Sequence, residues 1–175
     1  RSANSWVTDS AAAATALATG RKTNNGMISV SPTGQPYRTI LEAAAKARKS
    51  TGLVATMEIT HATPAAFGAH VHSRGDKEEI APQLVGKVDV ILGGGKEHFL
   101  PIHAGGKQVT RNLIQTAQKK GYSFVQNRKD LLSLPIEGRV LGLFADEEMS
   151  PELERDPAQE PSLAEMTKVA IQHLN

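Results

Sequence analysis

Short apolar runs alternate with stretches of helical spacing along most of this chain. Leu53–Ile59, Val88–Leu92, Tyr122–Val125 and Arg139–Phe144 are brief, largely apolar and bounded by turn residues, which predicts strands. Helical spacing marks Ile40–Lys49, a segment from Thr63 to about Ser73, Thr110–Lys120 and Leu163–Leu174. In the third of these Leu113, Ile114 and Ala117 share a face; in the last, Leu163, Met166, Val169, Ala170 and Leu174 do. Thr39 with Glu42, and Ser162 with Glu165, form capping boxes that fix two helix starts. Gly52 and Gly121 are expected to close the helices before them. Arg128–Leu132 reads as a helical turn, residues 23–37 as a loop or short hairpin, and the acidic, proline-bearing residues 145–161 as a surface connection. Strands alternating with helices predict an α/β fold, a three-layer sandwich with a largely parallel central sheet, in one domain over residues 1–175.

One stretch suggests chemistry. Trp6-Val7-Thr8 reads as a strand running into Asp9-Ser10, then the helix formers Ala11–Ala18, then Gly20 at the left-handed position past the helix end. Ser10 therefore sits at a helix N-terminus, where free N–H groups and the helix dipole favour an anion. A serine oxygen there could attack phosphorus or an acyl carbon, given a base or metal to take its proton. Asp and Ser are equally the favoured capping residues, and nothing within the stretch supplies that base or metal. A similar strand-to-helix junction follows at Thr60–Pro64, with Thr63 as N-cap and Pro64 as first helical residue. In open α/β sheets such edges bind ligands.

Composition narrows the choices. With 175 residues, 39% hydrophobic, the chain can bury a real core. A net charge of +2, scattered Lys and Arg, and only one Trp, two Tyr and four Phe argue against nucleic acid binding. There is no run of 18 apolar residues to span a membrane. With no cysteine, disulfides and thiolate metal sites are excluded. The chain lacks an initiator Met and opens on Arg-Ser-Ala-Asn-Ser, which is expected of a piece of a longer polypeptide. His70 and His72 are taken as surface or packing residues, since positions two apart on a helix diverge. Gly93-Gly94-Gly95 matches no phosphate-loop motif and is expected to be a mobile tight turn. His98 and His103 are assigned no role.

Thr8-Asp9-Ser10-Ala11-Ala12-Ala13-Ala14-Thr15-Ala16 resembles the nucleophile motif of the alkaline phosphatases. His61-Ala62-Thr63-Pro64-Ala65-Ala66, with Arg74 eleven residues after Thr63, is similar to a second segment of that family. The tracts around Asp89–Gly95, Leu141–Asp146 and Pro161–Thr167 resemble it in the same order. The resemblance implies a phosphate monoester hydrolase with two zinc ions and one magnesium, working through a phosphoserine on Ser10. By the same likeness Ser10 contacts zinc, Asp9 orients Arg74, Arg74 clamps phosphate oxygens, Thr63 ligates magnesium, and His61 sits in that ion's water shell. A planar guanidinium suits such a clamp. The resemblance also implies small phosphate monoesters as substrates and a periplasmic or secreted location, and allows a homodimer of the complete polypeptide. Measured against the family, the chain lacks the first strand and the downstream metal ligands, so the isolated piece is expected to be inactive. A non-catalytic phosphate-binding α/β module and a sulfatase-like relative stand as alternatives.

Overall fold

Small side chains set how the first helices pack. The computed structural model describes residues 1–175 and divides into two compact units, residues 1–49 with 60–87 and residues 50–59 with 88–175.

The first unit is helical. α1 (Ser10–Thr19) is capped by Asp9 and ends at Gly20 with φ +71°, the left-handed position the sequence predicts. Its buried Ala11, Ala12, Ala14, Thr15 and Ala18 pack against α3 (Ala62–Gly68), where Ala62, Ala65 and Ala66 are also buried. α2 (Ile40–Lys46) carries the complete Thr39–Glu42 capping box. α4 (Lys77–Leu84) buries Ile80, Ala81 and Leu84 and was not foreseen from the sequence, because Pro82 interrupts its helical pattern.

Elsewhere in this unit local signals were overridden. Trp6-Val7-Thr8 forms no strand: Trp6 is 84% and Val7 79% exposed, and Arg1 stacks over the Trp6 ring at 4.7 Å. A lone segment without a ladder partner gains nothing from extension. α2 stops at Lys46 because Arg48 turns left-handed at φ +57°, well before Gly52. α3 begins two residues early, with His61 rather than Thr63 at the N-cap. It also ends early, at Gly68, because Val71 pairs with Ile28 instead (Ile28 N to Val71 O 3.0 Å, Val71 N to Ile28 O 3.1 Å).

Below α2, Glu42 Oε1 accepts bonds from His70 Nε2 at 2.8 Å and Lys87 Nζ at 3.0 Å, while His70 Nδ1 lies 2.8 Å from the Ser29 carbonyl. His70 is thus a packing residue, as expected. Burial pushes the Glu42 carboxyl up, but the bonds from His70, the Thr39 amide and Lys87 outweigh it and hold it at about 2.

The second unit contains the sheet. β1 (Gly52–Glu58), β2 (Val90–Gly94), β3 (Tyr122–Val125) and β4 (Arg139–Leu143) form four parallel strands in the order β1-β2-β4-β3. The class is therefore α/β with a parallel sheet, as the alternation predicts. Val90, Leu92 and Val140 meet Leu131 of α6 (Arg128–Leu132) and Met166 and Val169 of α7 (Leu163–Leu174) in one core. Ile91 and Leu141, on the opposite face, are equally buried, so both faces of the central strands are covered. α5 (Leu113–Lys119) lies against β3.

Gly93-Gly94-Gly95 is not the mobile turn expected. Gly93 and Gly94 are buried strand residues, and a Cβ at Gly93 would lie 2.9 Å from the Ala55 carbonyl oxygen. A Cβ at Gly94 would run into the Glu147 carbonyl, and Gly95 takes φ +87°. Close approach of distant backbone, not mobility, demands these glycines.

Two outcomes follow. Gly94→Ala should lower unfolding stability by about 1–3 kcal/mol, read in urea melts, because the backbone behind it has no slack. For Glu42, a folded-state pKa held below 4.5 means its contribution is complete above pH 4.5 and lost as pH falls towards 2. Acid titration of the melting midpoint over that window should therefore be shallower in Glu42→Gln than in the wild type.

Candidate functional site

Asp9 has both carboxylate oxygens committed. Oδ1 accepts from the Ala12 amide at 2.9 Å, which caps α1. Oδ2 accepts from the Gly26 amide at 2.9 Å and from Arg74 Nη1 at 3.3 Å. Arg74 in turn donates from Nη2 to His61 Nε2 at 3.1 Å; a guanidinium can only donate, so the imidazole nitrogen is the acceptor. Asp9 is the N-cap of α1 and His61 the N-cap of α3, so one guanidinium joins the N-terminal ends of both helices.

The loop over residues 24–29 holds this arrangement. Gly26 gives its amide to Asp9, and its carbonyl accepts the Arg74 amide at 2.6 Å. Asn25 Oδ1 accepts from the Asp9 amide at 3.1 Å, and its Nδ2 donates to the Val7 carbonyl at 2.9 Å. Thr15 Oγ1 accepts the Ser29 amide at 2.9 Å, and Ser29 Oγ donates to the Ala66 carbonyl, which ties the loop to α1 and α3. Asn25-Gly26 lies within residues 23–37, where the sequence predicts only a loop or short hairpin. Its grip on Asp9 is a long-range bond that no local pattern announces.

Ser10 is the first residue of α1, half-buried, next to the residue that Arg74 contacts. Thr63 lies in the first turn of α3 with its side chain exposed. The structure thus gathers Asp9, Arg74 and His61 into direct contact and sets Ser10 beside them in the chain. Five N–H donors belong to a guanidinium, so contacts to Asp9 and His61 leave others for an anion's oxygens. The hydroxyls of Ser10 and Thr63 could each fill one position on an ion, short of the three protein ligands that catalytic zinc takes; His61, with Nε2 taken up by Arg74 and the proton on Nδ1, offers a hydrogen-bond donor instead. A cavity of about 930 Å³ lies in the sheet-bearing unit against Met57, Met149, Pro151 and Leu163, and is lined by none of these residues. No helix is long and apolar enough to cross a membrane.

Comparison with known proteins came to the same family. A family model described as alkaline phosphatase matches residues 1–175. Alkaline phosphatase 3 of Bacillus subtilis (strain 168) is 48% identical over 97% of this chain and 36% of its own length. The crystal structure of Thermus thermophilus alkaline phosphatase superposes with a TM-score of 0.89 at 36% identity, covering 99% of this chain and 36% of that one. A histidine-to-glutamate variant of TAB5 alkaline phosphatase with Mg bound gives a TM-score of 0.83 at 32% identity, covering 99% of this chain and 48% of that one. The chain spans little more than a third of the length of the B. subtilis relative.

Asn25→Ala removes two bonds from the loop and should cost about 1–2 kcal/mol of stability. Urea denaturation of the purified variant checks this; an unchanged midpoint would show that the loop does not hold Asp9.

Proposed function

The chain belongs to the alkaline phosphatase family, and on that footing we propose that it carries the nucleophile and phosphate clamp of a phosphate monoesterase. The observation supporting this most directly is Arg74 Nη1 on Asp9 Oδ2, the residue next to Ser10. A phosphate monoester lying at the start of α1 meets the helix dipole and the remaining guanidinium N–H groups. Ser10 Oγ forms a bond to phosphorus as the ester P–O bond opposite breaks, and the alcohol leaves. Arg74 holds the equatorial oxygens while charge redistributes, and Asp9 keeps the guanidinium aimed. Water then cleaves the phosphoserine, releasing phosphate and restoring the serine.

In the same reading Ser10 takes one position on zinc, Thr63 one on magnesium, and His61 belongs to the magnesium's water shell. Such ions, when bound, lower the pKa of the attacking hydroxyl and offset charge on the leaving oxygen. Small phosphate monoesters as substrates, a periplasmic or secreted location and a homodimer of the complete polypeptide belong to the proposal too. The 175 residues alone, with too few metal donors at this edge, favour a second reading: phosphate binding through Arg74 without turnover.

Ser10→Ala in the complete polypeptide, supplied with zinc and magnesium, should lose hydrolysis of a chromogenic phosphate monoester by at least about a thousandfold. Wild type should also trap labelled phosphate on Ser10. Full turnover in Ser10→Ala, with no phosphoserine in the wild type, would sink the assignment.

A further inference from the structure

Within the sheet-bearing unit, a second group of ligating side chains meets where β1 ends. The register pairs Glu58, the last residue of β1, with Gly94 of β2. The chain then turns through Gly95 into a 3-10 turn, Lys96–Phe99, that carries Glu97 and His98. Gly95 lies so close that a Cβ on it would stand 2.9 Å from Glu58 Cβ, so the glycine lets the turn fold back over the carboxylate. Glu58 is 6% and His98 4% exposed. Glu97 keeps a side-chain exposure of 16%.

His98 Nε2 lies 3.6 Å from Glu58 Oε1 and 3.5 Å from Glu97 Oε1. One ligand atom from each of the three residues falls within 4.8 Å of the others. Both His98 separations exceed the N–H···O range. They match another geometry: ligands at about 2.1 Å from a tetrahedral zinc ion stand about 3.4 Å from one another. Two carboxylates and an imidazole suit zinc, whereas magnesium favours an all-oxygen shell. Lys107 Nζ lies 3.5 Å from Glu97 Oε2, at the half-exposed rim of the group. The turn itself is held in place: His98 N donates to Gly95 O at 3.1 Å, Lys107 N to Glu97 O at 2.8 Å, and Gln108 Nε2 to His98 O at 2.9 Å. A fixed backbone presents its ligands without further ordering.

We propose that Glu58, Glu97 and His98 form a structural zinc site that pins the end of β1 to the turn following β2. It lies wholly within the sheet-bearing unit and serves stability. The fourth position is open to water.

The test compares the complete polypeptide with its own variants, so that zinc bound at the Ser10 edge is common to all and cancels in the difference. After chelation and dialysis each is titrated with Zn²⁺ alone, reading bound metal by elemental analysis and the melting temperature in parallel. The unsubstituted polypeptide should bind one equivalent more than Glu97→Gln or His98→Gln and gain more in melting temperature from zinc, while His103→Gln, exposed on the next turn, matches the unsubstituted polypeptide in both. Should His98→Gln fail to fold, Glu97→Gln decides alone, because its side chain reaches the surface. Equal zinc uptake and equal zinc-induced shifts in the unsubstituted polypeptide and Glu97→Gln overturn the site and leave a buried imidazole–carboxylate pair in its place.

Discussion

The first unit hangs on the carboxylate of Asp9. One oxygen terminates α1, and the other gathers the Gly26 amide and the Arg74 guanidinium. No neutral residue could serve all these donors, and a longer acid would lift the guanidinium from the helix end. Because a charge-assisted bond is roughly twice as strong as a neutral one, the same group that starts the helix can also aim the arginine. The pair is only partly screened from water, with side-chain exposures of 33% for Arg74 and 25% for Asp9. Its value therefore lies in position more than in stability.

The network around Glu42 does comparable work for the scaffold. It couples α2, through the capping box, to His70 and Lys87, and His70 reaches the Ser29 carbonyl on the loop that also carries Gly26. Hydrogen bonds therefore link α2 to the loop that grips Asp9. In the other unit the glycines of β2 have the equivalent part, since they let the strand run close beneath Ala55 and Glu147.

What the sequence disclosed was the local part. Both capping boxes, the Asp9 cap and the left-handed Gly20 are settled within a few residues, and all are present as read. So is the parallel sheet, because short buried strands between helices admit few other arrangements. What eluded the reading depends on distant partners. Val71 leaves a helical pattern to pair with Ile28; Gly93 and Gly94 answer to backbone at Ala55 and Glu147; Asn25 reaches back to Asp9. At the functional edge, family likeness suggested Asp9, Ser10 and Arg74, but spacing alone could not reveal that His61 faces the guanidinium.

Asp9 and Arg74 are 65 residues apart, and between them the chain leaves the helical unit to lay down β1 before returning. Closing so wide a loop carries an entropic cost that local contacts such as the α1 cap escape. A nascent chain can complete α1 with its serine in place and still lack any grip on an anion. The grip that we propose for an anion is thus one the chain completes only after its detour through β1.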